Sequence, residues 1–284
     1  MIVVTGATGH LGKLVVEGLL RKVPATAVVA AVRTPSKAAD LTERGVQVKA
    51  ADYSDPASLV AAFQGADKVL LVSSSEVGQR VEQHTAVVEA AKEAGVTHLV
   101  YTSILNADTT TMLLAADHKA TEEVIRASGI PFTFLRNGWY TENYAQTVAQ
   151  AVQTGEFAGS AADGKVGAAP RADYADAAVT VLTTDGHQGN AYELAADVPW
   201  SYQELADELT RATGKPITYQ DVPAAQHQSI LESAGVPAPF AAILVDSDRG
   251  ITAGELASTS GDLSRLAGRP TTPLTESVAE ILKG

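Results

Sequence analysis

Across residues 1–137, six short runs rich in β-branched residues alternate with longer amphipathic stretches, and no other feature narrows the fold as much. The runs are IVVT (2–5), AVVAAV (27–32), VQVKA (46–50), KVLLVS (68–73), HLVYTS (98–103) and PFTFLR (131–136). The segments between them, such as LGKLVVEGLLRKV and VEQHTAVVEAAKEAG, carry apolar residues at helical spacing, and the second ends on the glycine stop signal Gly95. Strands in regular alternation with helices predict an α/β fold built on a doubly wound parallel sheet. Right-handed crossovers place the loops that follow the strands along one edge, where ligands of such sheets bind.

After Asn137 the rhythm breaks. A helix-like TENYAQTVAQAVQTG leads into the Gly/Ala-rich loop GSAADGKVGAAP, then a helix RADYADAAVTVLTT, a strand NAYELAA and a helix SYQELADELTRATG. A strand ITYQDV and further helices with Pro/Gly punctuation follow, ending in PLTESVAEILKG. The expected division is a first domain at 1–137, to which 163–185 returns, and a smaller, mostly helical C-terminal lobe at 138–284 that covers the substrate. No repeat or low-complexity tract interrupts this plan.

Composition excludes several function classes. The 284 residues suffice for a large core, and the net charge of −12 argues against a nucleic-acid partner, which needs a basic footprint. There is no cysteine, so disulfides, thiolate nucleophiles and cysteine-ligated metals are out. The six histidines (10, 84, 98, 118, 187, 227) show no paired ligand spacing, and no metal is expected. No apolar run approaches the roughly 18 residues of a membrane span, so no membrane insertion is expected. Met1 runs directly into a strand with no basic stretch before it, which makes a cytoplasmic location the default. Monomer and homodimer are both left open.

The sequence VVTGATGHLG joins the first strand to the first helix through Gly6, Gly9 and Gly12. The first glycine permits a tight turn, the second lets backbone N–H groups approach a pyrophosphate, and the third lets helix and strand pack closely. The helix N-terminus adds roughly half a positive charge. A Rossmann-type dinucleotide site is the expectation. The second strand ends at Arg33, 21 residues beyond Gly12, where NAD-binding versions present an acid to the ribose 2′-hydroxyl. A guanidinium there grips a 2′-phosphate instead, with Lys37 as a second charge, and this favours NADPH. Asp52, after the third strand, suits either the adenine amino group or the cap of the following helix.

The loops VSSSEVGQ, YTSILNAD and LRNGWYTEN follow strands four, five and six and should meet near the nicotinamide. Ser73, Ser74 and Ser75 are either ribose and phosphate ligands or loop formers. Asn137 and its neighbours suit the carboxamide, while Trp139 and Tyr140 offer either a flat wall for an aromatic substrate or packing between lobes. Arg171, at the start of RADYADAA, suits a cofactor phosphate or an ion pair with Asp173 or Asp176.

The usual acid/base pair is missing. Alcohol-ketone hydride enzymes carry Tyr-x-x-x-Lys on the helix after strand five. Counting back twelve residues from Ile130 to the lysine position reaches His118, with Leu114 in the tyrosine slot. Leucine donates no proton; His118, with an unperturbed pKa of about 6.5, is either a donor or a structural histidine. Tyr101 is followed by Leu105 and makes no such pair either. Such a site suits an acceptor that takes hydride without an enzyme-supplied proton: a quinone, whose reduced anion water protonates, or a cationic carbon dye. Asn137 and Asn143 are candidates for polarising a substrate carbonyl.

TGATGHLG, the Arg33 strand end, ADYSDPASL, SSSEVGQR, YTS and the run GIPFTFLRNGWYTENY together resemble the NmrA-like atypical short-chain dehydrogenases, over nearly the whole chain. SSSEVGQ and NGWYTEN are most similar to the quinone-reducing branch, with the triarylmethane-dye reductases as near kin. The resemblance implies a flavin-independent, two-electron quinone reductase using NADPH. It places cofactor contacts on Gly6, Ala7, Thr8, Gly9, His10 and Leu11, on Arg33, on Ser73 to Ser75, and on Arg171. The segment Asn137, Gly138, Trp139, Tyr140, Thr141 and Glu142 completes the set. His10 stands where related chains often carry Gln, and both side chains form hydrogen bonds. A regulatory branch that binds the dinucleotide without turning it over remains the alternative from another functional class.

Overall fold

The computed structural model describes residues 1–74, 76 and 78–283. From the N-terminus, β1 (Ile2–Thr5), α1 (His10–Leu20), β2 (Val28–Val32), α2 (Ala39–Glu43), β3 (Gln47–Ala50) and α3 (Pro56–Phe63) alternate. β4 (Lys68–Leu71), α4 (Arg80–Glu93), β5 (His98–Ile104), α5 (Ala115–Ser128) and β6 (Phe132–Asn137) continue the pattern. Then come α6 (Ala145–Thr154), β7 (Glu156–Gly159), β8 (Lys165–Val166), α7 (Arg171–Thr183), β9 (Asn190–Leu194) and β10 (Trp200–Ser201). The chain closes with α8 (Tyr202–Thr213), β11 (Thr218–Asp221), α9 (Ala224–Ser233), α10 (Ala238–Thr252), α11 (Asp262–Ala267) and α12 (Leu274–Lys283).

The fold is the expected doubly wound α/β sheet. Seven strands lie in the order β3-β2-β1-β4-β5-β6-β9, and the registers from β3 to β6 are all parallel. The direction of the chain's walk reverses between β1 and β4, the crevice where such sheets accept ligands. β9 adds a strand beyond the six of the alternating region. Its flanking bonds, Gly189 N to Phe132 O at 2.7 Å and Gly138 N to Leu194 O at 2.7 Å, run in the same sense along β6. NAYELAA is therefore a strand as expected, but it pairs in the main sheet.

Two compact units account for the chain. One comprises Met1–Ala107, Ala116–Asn137 and Arg171–Tyr192; the other comprises Asp108–Ala115, Gly138–Pro170 and the chain from Glu193 onward. The segment grouped with the first unit is thus Arg171–Tyr192, where the sequence suggested 163–185.

In the first unit, β1 and β2 are buried on both faces, which explains their unbroken apolar composition. One face packs Val3, Val29, Leu71, Leu99 and Phe134 against Leu59, Phe63, Val87, Val88 and Ile125 of α3, α4 and α5. The opposite face is covered by α1 and α7, which approach closely at Gly18, where an added Cβ would meet Val179 Cγ2 at 2.6 Å. The second unit is mostly helical, with two small strand pairs, parallel β7–β11 and antiparallel β8–β10. Its best-defined helix start is α8, where Ser201 and Glu204 form a reciprocal capping box, and Gly214 ends the helix in the left-handed conformation.

Candidate cofactor and substrate sites

The glycine turn sits where β1 delivers the chain to α1. Gly6 has φ +57°, a conformation that costs a side-chain-bearing residue about 1–2 kcal/mol. A Cβ on Gly12 would lie 2.3 Å from Gly6 O and 2.8 Å from its carbonyl carbon, so only glycine lets the helix seat here. Gly9 is the N-cap and supplies no side-chain acceptor, and no acid lies in the first turn of α1. The amide donors at this end therefore face no built-in negative charge, and the cradle fits a pyrophosphate. Ala7 and Leu11 point into the core, so they can offer only backbone groups, whereas Thr8, Gly9 and His10 are exposed.

The other candidates of the first unit follow from the parallel registers, which put all strand ends on one edge. Arg33 follows β2 and is exposed; its Nη1 donates to Glu76 Oε1 at 3.1 Å. Asp52 follows β3, and its Oδ1 accepts from Ser54 N at 2.9 Å. The helix-cap alternative for Asp52 is corrected: Asp55 is the N-cap of α3 and accepts from Ser58 N at 3.3 Å. The cap must lie directly before the first helical residue, and Asp52 instead closes a local turn. Asn137, the last residue of β6, is buried, and its carbonyl accepts from Leu105 N at 3.0 Å. Arg171 opens α7. Asp176, one of its candidate partners, pairs with Arg21, the C-cap residue just after α1, at 3.7 Å.

The loop after β4 is held from several sides. β4 stops at Leu71, so Ser73 and Ser74 belong to the loop; Ser75 lies outside the described residues. Ser73 N donates to Thr102 Oγ1 at 2.9 Å. Ser74 N donates to His84 Nε2 at 3.0 Å, and Ser74 O accepts from Arg80 Nε at 2.9 Å. Burial, with Arg80 adding repulsion, pushes the His84 imidazole down to about 3. It is neutral at physiological pH, an acceptor at Nε2 and hence a donor from Nδ1 to Thr121 Oγ1, 3.0 Å away. Next to this loop, Tyr53 donates to Val72 O at 2.9 Å, and Thr5 Oγ1 receives Val72 N at 3.0 Å. Sequence reasoning missed His84, Arg80 and Tyr53. The signal for Arg80 and His84 was only that SSSEVGQRVEQH places a cation and an imidazole shortly after the loop, and Tyr53 carried none.

His118 is neutral rather than an imidazolium at neutral pH. It is buried, and desolvation, with Arg80 and His84 nearby, pushes it well below the usual histidine value. Burial also raises the Tyr101 hydroxyl, so Tyr101 is the donor and His118 Nδ1 the acceptor in their 2.7 Å bond. Leu114, in the tyrosine slot, is half-buried just before α5.

The second unit holds its own pocket. Trp139, Asn143, Tyr144, Thr147, Phe157, Ala158, Tyr202, His227, Leu231, Leu244, Ser247 and Asp248 line it. Tyr144 and Tyr202 meet edge-on at 5.7 Å, and Phe157 and Tyr202 at 6.1 Å. Asp248 is buried and receives Tyr202 OH at 2.6 Å on one oxygen; its other oxygen lies 3.1 Å from His227 Nδ1 and accepts Ser160 N at 2.7 Å. Of the segment carried over from the resemblance, Trp139 lines this pocket. Tyr140 pairs along the backbone with Ala169 instead, flanked by Ala169 N to Trp139 O and Thr141 N to Ala169 O, both 3.1 Å. Gly138 and Thr141 are buried in the same connection, and Glu142 lies in the short helical turn that follows. Asn143 lines the pocket, and Asn137 ends β6 in the first unit. Tyr144, Phe157, Tyr202, His227 and Asp248 went unseen in the sequence because they are scattered over five elements.

The sequence profile of the NmrA-like family matches residues 1–251. The chain belongs to the NmrA-like family. Among its members, quinone oxidoreductase 2 of Escherichia coli K12 is 50% identical over 281 residues, covering 99% of this chain and 98% of its own. The crystal structure of the NADPH-dependent quinone oxidoreductase of E. coli with NADPH superimposes with a TM-score of 0.97, covering 99% of this chain and all of that one. Triphenylmethane reductase of Citrobacter sp., solved with NADP(H), is 41% identical with a TM-score of 0.95, again over 99% of this chain and 100% of its own. Among the described residues of this NmrA-like chain, no group of three or more metal-binding side chains converges, and no helix is long and apolar enough to cross a membrane.

Proposed function

We propose that this protein is an NADPH-dependent quinone reductase that carries out two-electron reduction of a small-molecule quinone, in the cytoplasm, without flavin or metal. The observation that carries the reading is the conjunction of the Gly6–Gly12 cradle and Arg33 with 50% identity to an NADPH-dependent quinone oxidoreductase over almost the entire chain. Bound NADPH supplies a hydride, which delivers two electrons at once. The roles of the protein's own residues follow from their chemistry. Backbone donors of residues 6–12 hold the pyrophosphate. Arg33 meets the 2′-phosphate, and it must exchange Glu76 for that ligand. Ser73, Ser74 and the segment 137–142 frame the nicotinamide half, with Ser74 held by His84 and Arg80. Asp52 serves the adenine and Arg171 a phosphate. Asn143, with the aromatic wall of Trp139, Tyr144 and Phe157, receives the acceptor.

The absence of Tyr-x-x-x-Lys and the neutral state of His118 fit an acceptor whose reduced oxygen is weakly basic. Positioning then carries most of the rate. The 41% identity to a triphenylmethane reductase supports cationic dyes as a second acceptor class. The assay follows NADPH absorbance with benzoquinone, with a triarylmethane cation and with neither. Oxidation with the quinone supports the reading; tight NADP binding with no turnover on either acceptor makes the protein a sensor instead.

A further inference from the structure

Arg33 and Glu76 meet across the end of a strand that carries neither of them. Arg33 follows β2 and Glu76 follows β4, and β1, which runs into the glycine turn, lies between those strands in the sheet. Neighbouring strands are about 4.8 Å apart, so two long side chains close a gap of roughly 10 Å. They bring Arg33 Nη1 to 3.1 Å from Glu76 Oε1. The carboxylate has a second anchor besides Arg33. Gln83, buried in the first turn of α4, donates from Nε2 to Glu76 Oε2 at 2.8 Å, and Glu76 N donates to Ser74 Oγ at 3.3 Å. All four residues belong to the first compact unit.

We infer that Glu76 accepts the adenosine 2′-hydroxyl of NADH, and so sets how strictly this protein prefers NADPH. The inference rests on the proposed role of Arg33 in NADPH-dependent quinone reduction and deepens it. NAD-binding sheets present an acid to this hydroxyl from the end of the second strand. Here that place holds Arg33, and the acid arrives from the loop after β4. A group on the ribose 2′ carbon beside β2 therefore meets a cation and an anion together. A 2′-phosphate draws Arg33 away and stands against a carboxylate that Gln83 keeps in place, a contact of like charges. A 2′-hydroxyl leaves the Arg33–Glu76 pair intact and donates to a carboxylate oxygen, which has lone pairs to spare beyond Arg33 and Gln83. The same side chain thus acts in opposite directions on the two coenzymes, and specificity is the difference between them.

The test is Glu76→Ala in the full-length protein, with benzoquinone saturating and kcat/KM measured for NADPH, NADH and NADH lacking its adenosine 2′-hydroxyl. Expected with NADH is a loss of roughly 3- to 10-fold, the worth of one hydrogen bond at an exposed site. Expected with NADPH is a gain of about 2- to 5-fold at low salt, fading as salt rises. The melting temperature should not move, since the exposed ion pair contributes little to stability. In the unaltered protein the 2′-deoxy coenzyme should be poorer than NADH by the factor that Glu76→Ala costs. The variant should use the two alike, because the bond is then missing whichever partner is removed. A Glu76→Ala protein that leaves all three coenzymes unchanged, or moves them by one common factor, overturns the assignment and leaves NADPH-dependent quinone reduction standing. So does an unaltered protein that oxidises no NADH, or that uses NADH and its 2′-deoxy analogue equally well. No oxidation of either natural coenzyme with quinone by the unaltered protein overturns both.

Discussion

The backbone N–H of Ser74 donates to Nε2 of His84 at 3.0 Å, which ties the loop after the fourth strand to the helix behind it. Because the imidazole is neutral and gives its only proton to Thr121, this bond has a fixed direction. Replacing His84 by Phe leaves a half-buried amide without its acceptor, at a cost of about 1–3 kcal/mol. The expected outcome is a lower melting temperature and a several-fold rise in the KM for NADPH, with kcat on saturating cofactor less affected. Thermal denaturation and initial-rate kinetics check both.

The buried histidines also set an acid limit. His84 is held down to about 3 and His98 to about 4, each chiefly by burial, and His118 is lowered as well. In the unfolded chain each takes up a proton near pH 6.5, while the folded protein does not, so unfolding is coupled to proton uptake below that pH. Their contribution to stability is full above about 6.5 and is lost as pH falls toward 4 and 3. Urea melts at pH 5 should show His84→Gln taking up about one proton fewer on unfolding than the wild type.

Arg33 and Glu76 form an exposed pair, worth little to stability. Its importance is competition, because the carboxylate occupies the guanidinium that the 2′-phosphate needs. Arg33→Asp should lower kcat/KM for NADPH by roughly 10- to 150-fold, the worth of a charged hydrogen bond of about 1.5–3 kcal/mol, and shift preference to NADH. Glu76→Gln should change it the other way by a few-fold, most clearly at low salt. Unchanged cofactor selectivity in Arg33→Asp would remove Arg33 from this role.

Gly12→Ala places a methyl 2.3 Å from Gly6 O, both atoms being fixed by backbone. The first helix must shift away from the turn. NADPH binding, followed by quenching of intrinsic fluorescence, should weaken by at least about tenfold even where circular dichroism reports a folded protein.

Phe157→Leu trims the aromatic wall without opening a large cavity. Edge-on aromatic contacts contribute about 0.5–1.5 kcal/mol beyond burial, so the KM for a quinone should rise roughly 2- to 10-fold. NADPH titration of the same variant should give the wild-type dissociation constant, and a weakened one would place Phe157 on the cofactor instead.

Much of this was legible because it is local. Strand and helix periods announced the sheet from Ile2 to Asn137, and Gly6, Gly12 and Arg33 declared themselves by spacing from the first strand. Where the reading went astray, the deciding partner lay elsewhere in the chain. Asp52 and Asp55 look equally fit to cap α3 until the backbone shows which precedes the helix. His118 reads as an ordinary histidine until burial and the nearby Arg80 lower it and Tyr101 donates to its Nδ1. The pocket of the second unit joins residues from Trp139 to Asp248, and no spacing in the sequence links Tyr144 to Tyr202 or Asp248.

By itself the sequence determined the alternating parallel sheet and the glycine turn, because periodicity and backbone sterics are properties of neighbouring residues. Only the tertiary structure decided which histidines stay neutral, which residues fix the loop at Ser74, and that Tyr202 is tied to Asp248. Desolvation and hydrogen-bond satisfaction are summed over atoms that distant stretches of chain bring together, and they have no value until the chain has folded.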